Sequence, residues 1–179
     1  MALNVGQAAP EFEAVDQKDQ KLVVPGAFQG KKVALSFLRY LGCPLCLMKL
    51  EEVIQNYPAY AAAGAGLIAL VQSRPGHVKR FADRKKLPFA LISDPERKIY
   101  KLYQVPLGGV KEYIAPPVLK ATIQATLKGH MHGRFGGNEL QIPADFILAP
   151  DGTIAFVHYG KDISDFLAHS ELMAALGRV

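Results

Sequence analysis

Apolar and polar positions alternate along the chain in two distinct rhythms. Val33-Ala34-Leu35-Ser36-Phe37-Leu38 and Leu67-Ile68-Ala69-Leu70-Val71 are short, nearly continuous apolar runs, the pattern of strands buried on both faces. Between them, Leu47, Leu50, Val53, Ile54 and Tyr57 recur at helical spacing, which predicts an amphipathic helix over 47–60. Pro44 suits its first turn, where a missing N–H costs nothing. A second helix is expected from Pro75 to about Lys86, ended by Leu87-Pro88, and Phe89-Ala90-Leu91-Ile92 reads as a third strand. Ser93-Asp94-Pro95-Glu96 carries a cap, a proline and an acid, the signature of a helix start. That helix is expected to reach about Tyr103. Pro143 to Leu148 and Thr153 to Tyr159 flank Pro150-Asp151-Gly152 and predict a hairpin. Asp162 to Leu176 is expected to close the chain as an amphipathic helix.

Two stretches are less regular. Residues 1–30 mix turn formers with short apolar pieces. Residues 104–141 carry many glycines and prolines. Within them Val118-Leu119, Thr122-Ile123 and Thr126-Leu127 recur every four residues, which fits one short helix. Packing over the core is its expected role, with a substrate-side lid or a subunit contact as alternatives. The order of elements implies one α/β domain over 1–179, with a mixed central sheet flanked by helices. The first three strands should be parallel and the last two antiparallel. This is the thioredoxin-like fold, with an N-terminal extension and an insertion before the last hairpin.

Composition narrows the function. Half of the 179 residues are hydrophobic and 21% are charged, which excludes a disordered or collagen-like chain. The formal charge of +5 is spread along the sequence and comes with no nucleic-acid-binding signature, so it reads as an ordinary basic surface. No run of 18 apolar residues predicts a membrane span, and no basic and apolar leader opens the chain. A cytoplasmic protein without nucleic-acid or membrane partners is the expectation.

The chemistry concentrates on the only two cysteines, Cys43 and Cys46. On a helix, positions i and i+3 place Cα atoms about 5 Å apart, within disulfide range. A cysteine at a helix N-terminus faces free N–H groups and the positive end of the dipole, which favours thiolate. Cys43 is therefore the expected nucleophile and Cys46, one turn in, the resolving partner. A zinc or copper site would need further ligands, and His130, Met131 and His132 are the compact candidates. Pro143 is the second feature. In this fold a cis-proline at the start of that strand stands opposite the C-x-x-C helix, and its neighbour's backbone can pair with a bound chain.

Several segments carry a resemblance. Gly6-x-x-Ala9-Pro10-x-Phe12, Ser93-Asp94-Pro95 with Tyr100, Tyr103 and Val105, and Gln141-Ile142-Pro143-Ala144-Asp145-Phe146-Ile147 with Asp151-Gly152-Thr153-Ile154 resemble, in order and spacing, the peroxiredoxins of the alkyl hydroperoxide reductase/thiol-specific antioxidant superfamily. Phe37-Leu38-Arg39 before Gly42-Cys43-Pro44-Leu45-Cys46, with His158 and Asp165 further on, is similar to the branch whose members carry C-x-x-C. The resemblance implies that the Cys43 thiolate attacks a peroxide and becomes a sulfenic acid, that Cys46 condenses with it, and that a thioredoxin- or glutaredoxin-like donor reduces the disulfide. It implies no cofactor or metal, and it allows a homodimer, since many relatives form one. Two positions depart from the usual pattern. The proline seven residues before the peroxidatic cysteine and the threonine three before it are here Ser36 and Tyr40. Arg39 or Arg134, the latter ranked slightly higher, is expected to supply the cation that stabilises thiolate and developing negative charge. His158 reads as a strand histidine.

Three functions follow, in descending order. The first is a thiol peroxidase acting on hydrogen peroxide or small organic hydroperoxides through Cys43 and Cys46. The second is a thiol–disulfide oxidoreductase acting on protein disulfides, favoured by the absent threonine. The third is a metal-binding or redox-sensing module built from the cysteine pair with His130 and His132.

Overall fold

The structure, a computed structural model, describes residues 2–28, 30–133 and 136–179. Its centre is a five-stranded sheet formed by β3 (Lys32–Phe37), β4 (Ala65–Val71), β5 (Ala90–Ser93), β6 (Ala144–Leu148) and β7 (Ile154–Tyr159), in the order β5-β4-β3-β6-β7. β3 pairs parallel to β4 and β4 parallel to β5, while β6 pairs antiparallel to both β3 and β7. The apolar runs thus became the interior strands, and β3 takes the central place. A separate antiparallel hairpin, β1 (Phe12–Val15) with β2 (Lys21–Val24), occupies the N-terminal extension.

Successive residues of a strand face opposite sides of the sheet, so each central strand feeds two cores. Ala34, Leu67, Ala69, Val71 and Ile147 face one layer, with Leu50 and Val53 of α1 (Pro44–Ala62), Phe81 of α2 (Pro75–Lys85) and Leu172 of α6 (His169–Leu176). Leu35, Phe37, Ile68, Leu70 and Phe146 face the other, against Phe12, Tyr100 and Tyr103. The aromatic rings there meet edge-on, Phe37 with Tyr100 at 5.2 Å and Tyr103 with Phe146 at 5.1 Å between centroids, the arrangement that ring quadrupoles favour.

One polar pair interrupts the first core. Ser36 and Asp145 lie opposite each other across β3 and β6, and the Ser36 hydroxyl donates to the Asp145 carboxyl at 2.5 Å. Burial pushes the Asp145 carboxyl's pKa upward, against the opposing pull of Ser36, Lys49 and His158.

Two helices begin later than the sequence suggests. α3 spans only Lys98–Leu102, because residues 94–97 form a turn that ends with Arg97 in the left-handed region at φ 58°. Asp94 still caps the helix, its carboxylate accepting the N–H groups of Lys98, Ile99 and Tyr100 at 2.9, 2.7 and 3.2 Å. At the C-terminus, residues 162–168 are irregular and α6 starts at His169. There Asp162 binds the N–H and hydroxyl of Ser164, and Asp165 binds the Lys161 N–H. Such local side-chain bonds compete with helix formation.

The insertion contains α4 (Val110–Tyr113) and α5 (Pro116–Leu127). Its base is fastened by the Leu107–Gln141 bridge and by Gly108 N–H donating to the Leu140 carbonyl at 2.7 Å. Val118 and Ala125 of α5 are buried, while Leu119, Ile123 and Leu127 are exposed. Beyond α5 the chain reaches the start of α1, where Gly133 N–H donates to the Gly42 carbonyl at 2.9 Å. No helix among the described residues is long and apolar enough to cross a membrane.

Replacing Asp94 with Ala removes three capping bonds and is expected to lower stability by about 1–2 kcal/mol, measured by urea unfolding of the reduced protein. A loss within experimental error would contradict the capping assignment.

Candidate active site

The site forms where β3 ends and α1 begins. Beyond Phe37 the ladder continues irregularly. Leu38 N–H donates to the Leu70 carbonyl and Gln72 N–H to the Arg39 carbonyl, each at 2.9 Å. The Tyr100 hydroxyl bonds the Leu38 and Leu70 carbonyls. Tyr100 thus fastens the strand end from below, which gives a physical role to one of the residues that carried the resemblance. Leu41 N–H then donates to the Ser73 hydroxyl at 2.9 Å and Cys43 N–H to the Tyr40 carbonyl at 3.1 Å. The turn is therefore held at nearly every residue before the first cysteine.

Cys43 is the N-cap residue of α1, with Pro44 in the first turn and Cys46 inside it. Both thiols are free and buried. Arg39, only 3% exposed, donates from Nη1 to Cys43 Sγ at 3.2 Å, and its backbone N–H donates to Cys46 Sγ at 3.3 Å. A hydrogen bond from the Cys46 thiol, the Arg39 charge and backbone N–H groups of the first turn bring the Cys43 pKa down to about 6, against the opposing effect of burial. Burial, together with the bond it donates to Cys43, pushes the Cys46 thiol well above its ordinary range. One sulfur is thus prepared as thiolate while the other keeps its proton.

Arg39 is held by a second anion. Its Nη2 donates to Glu139 Oε2 at 3.0 Å and also to the Glu139 carbonyl. Its guanidinium carbon lies 5.5 Å from the Tyr40 ring centroid and 5.9 Å from that of Tyr113, within the reach of cation–π attraction. Burial lowers the Arg39 pKa, but the surrounding negative groups, Cys43 foremost, raise it further. The guanidinium therefore stays charged inside the protein. The Tyr40 hydroxyl lies 3.1 Å from His132 Nε2, while His132 Nδ1 lies 2.8 Å from the Gly133 carbonyl. Burial and then the Glu139 carboxylate push the Tyr40 phenol pKa upward, so it remains protonated.

The loop carrying Glu139 rests on a buried amide network. Gln72 Nε2 donates to Gln141 Oε1 at 3.2 Å, Arg97 Nε donates to the same oxygen at 2.7 Å, and Asn138 N–H donates to Gln72 Oε1 at 2.7 Å. Gln141 Nε2 reaches the Pro106 and Ile142 carbonyls at 2.9 and 2.8 Å. A side chain at Gly137 would come within 2.8 Å of Gln72, so this glycine lets the loop lie against the network.

Of the residues singled out in the sequence, Cys43, Cys46, Arg39 and Tyr40 meet at one place. Arg134 lies outside the described residues. Pro143 precedes β6, but the Ile142–Pro143 bond is trans; Val24–Pro25 is the cis bond among the described residues. The trans bond goes with a segment tied to 106–107, through the Leu107–Gln141 bridge and the Ile142 N–H donating to the Pro106 carbonyl, immediately before β6 begins at Ala144. The backbone there is also occupied, with Ile142 N–H donating to the Pro106 carbonyl and Gly160 N–H to the Pro143 carbonyl. His130 and His132 diverge: His130 Nε2 lies 3.3 Å from Glu51, on the α1 side, while His132 faces Tyr40. No three His, Cys, Asp or Glu side chains among the described residues could together hold a metal ion. His158 on β7 lies across from Asp145 and 3.5 Å from Asp165, apart from the thiols. Glu139, Gln72, Gln141 and the Tyr40–His132 contact were not legible in the sequence. Only Gln141, polar at the mouth of an apolar strand, offered a signal.

Sheet order, the C-x-x-C helix and the paired thiols define a protein of the thioredoxin-like fold with a dithiol site. The profile of the AhpC/TSA family matches residues 5–157, and the chain belongs to that family as a peroxiredoxin-like protein. It is 35% identical over 104 residues, 58% of this chain, to the chloroplastic peroxiredoxin Q of Populus jackii, and spans 48% of that protein's length. Peroxiredoxin-like 2C of Homo sapiens is 23% identical over 180 aligned residues, which cover 95% of this chain and 79% of the human protein. The structure of peroxidoxin BcpB from Mycobacterium tuberculosis superposes with a TM-score of 0.71 at 15% identity, covering 99% of this chain and 98% of that one. That likeness concerns the fold.

The lowered Cys43 pKa has a signed consequence for stability. A thiol whose folded pKa lies below its unfolded value stabilises the fold above the unfolded pKa, and that gain is lost as pH falls through the folded pKa. Reduced protein compared with Cys43→Ser should therefore gain thermal stability progressively from pH 6 to about 8.5. A difference that stays constant over that window would contradict the assignment.

Proposed function

We propose that this protein is a thiol-dependent peroxidase that reduces hydrogen peroxide or small organic hydroperoxides. The observation that carries the proposal is the pairing of a helix-capping Cys43 with the buried Arg39 guanidinium at 3.2 Å, one turn from a protonated Cys46. The Cys43 thiolate attacks a peroxide oxygen. An S–O bond forms, the O–O bond breaks, and the leaving hydroxide or alkoxide takes a proton from water. Arg39 stabilises the thiolate beforehand and the negative charge as it moves to the leaving oxygen. The Cys46 sulfur then attacks the Cys43 sulfenic acid; its proton leaves with the hydroxyl as water, and a disulfide remains. A thioredoxin- or glutaredoxin-like donor returns the two electrons. A reducing compartment such as the cytoplasm is the setting in which this dithiol persists between turnovers.

The same geometry bears on the rival reading, reduction of protein disulfides. At residues 142–143 the Ile142 N–H, the Ile142 carbonyl and the Pro143 carbonyl are each already engaged within the chain, which leaves little for backbone pairing with an incoming chain. Cys43 is 1% exposed, which suits an oxidising substrate of a few atoms. Tyr40 stands where the usual threonine would be, and its phenol keeps its proton, so an O–H group still lines the site.

Mixing fully reduced protein with hydrogen peroxide and following free thiols and intact mass is the direct test. Two thiols per chain are expected to disappear far faster than free cysteine reacts, and Cys43→Ser is expected to abolish the reaction. Thiols that react no faster than free cysteine, yet are oxidised readily by a protein disulfide, would replace the peroxidase with the disulfide oxidoreductase.

A further inference from the structure

The ion pair between Arg39 and Glu139 is half made. A guanidinium and a carboxylate normally meet as a two-armed fork. Here one arm is present, Nη2 to Oε2 at 3.0 Å. The atoms of the other arm, Arg39 Nε and Glu139 Oε1, are both buried, and neither has a hydrogen-bond partner among the described residues. A buried donor and a buried acceptor stand unpaired on the two halves of one salt bridge. Buried polar groups rarely remain so.

The cause lies on the third nitrogen. Arg39 Nη1 donates to Cys43 Sγ at 3.2 Å, so the guanidinium is shared between two anions and satisfies neither fully. The Glu139 carboxylate is itself anchored. Its loop is fixed through Asn138 to Gln72 and through the neighbouring Gln141 to Arg97 and Pro106. The guanidinium, on a flexible stem, is the part that can turn.

We propose that Glu139 is a positioning residue for the dithiol–disulfide reaction: it holds Arg39 on one arm while Cys43 is a thiolate and takes it on both arms once the disulfide has formed. Oxidation converts Cys43–S⁻ and Cys46–SH to the disulfide with loss of one proton and two electrons to the oxidant. The negative charge that attracted Nη1 disappears. The guanidinium then turns onto Glu139, and the bond from Nε–H to Oε1 closes the fork. Glu139 thereby stabilises the disulfide form relative to the dithiol and competes with Cys43 for Arg39 in the reduced form. The inference needs only that Cys43 and Cys46 form a disulfide, whichever oxidant acts, and so stands independently of the peroxidase reading.

The sign of one shift decides. The equilibrium is protein dithiol plus glutathione disulfide giving protein disulfide plus two glutathione, read by trapping thiols and measuring mass. In Glu139→Gln the disulfide form loses its fork and the thiolate keeps Arg39 undivided. The equilibrium constant for oxidation is therefore expected to fall by about tenfold or more, and the Cys43 thiolate absorbance to titrate at lower pH. If Glu139 merely holds Arg39 against the sulfur, both quantities move the other way, and that result, or no change, overturns the proposal. A measurement on unaltered protein covers a variant that fails to fold. The Arg39 Nε–H proton resonance, assigned by its loss in Arg39→Lys, is expected to move downfield on oxidation as the second arm closes, and an unmoved resonance overturns the proposal.

Discussion

A buried cation shared between a buried thiolate and a half-buried carboxylate organises this molecule's chemistry. Arg39 is almost wholly inside the protein, and an unpaired charge there would be costly. It is compensated by the Cys43 sulfur on one side and the Glu139 carboxylate on the other, with the rings of Tyr40 and Tyr113 beside its guanidinium. The compensation is mutual, because burial alone would push the Cys43 thiol upward and the Arg39 charge helps to pull it down. Each favours the other's ionised form, together with the hydrogen bond from Cys46 to Cys43 and the Glu139 carboxylate beside Arg39. Dielectric screening is weak inside a protein, so a contact of 3.2 Å has more effect there than at a surface.

Much of the fold exists to hold those three groups in register. Arg39 lies just past the end of the central strand, so its backbone is tied to β4 through Gln72. Tyr100 grips the same strand end from the opposite layer, and the residue carrying it is placed by the Asp94 cap. Cys43 is fixed by the start of α1. Glu139 arrives 100 residues later in sequence, carried by a loop that closes the insertion and rests on Gln72 and Gln141. Those glutamines connect the Arg39 backbone and the Glu139 loop through shared hydrogen bonds, so the two members of the ion pair are built on one amide network.

Local signals made the architecture legible. The apolar runs of β3 and β4, the helical spacing after Cys46 and the hairpin turn at 150–152 each depend on residues close in sequence, and each element formed where its pattern lies. The misplaced helix boundaries have a common cause. At Asp94, Asp162 and Asp165 a carboxylate binds nearby backbone N–H groups, and a sequence pattern does not show whether such a residue starts a helix at once or first closes a turn. The dithiol was visible as a C-x-x-C pair, and Arg39, within the same eight residues 39–46, was one of two candidate cations, ranked behind Arg134. Glu139 was not, since a glutamate in a glycine-rich loop looks like any solvated charge until the chain folds. The trans bond before Pro143 was hidden for a similar reason: the pairing of 141–142 with 106–107 depends on how the insertion closes, which no local pattern reveals.

The central claim is that Arg39 keeps Cys43 as a thiolate. Thiolate absorbance near 240 nm, followed against pH in reduced protein and in Arg39→Met, tests it most directly. The account predicts a first titration at about pH 6 in the unaltered protein and a clear upward displacement in the variant, with its fold checked by circular dichroism. A folded variant that titrates at the same pH as the unaltered protein would contradict it.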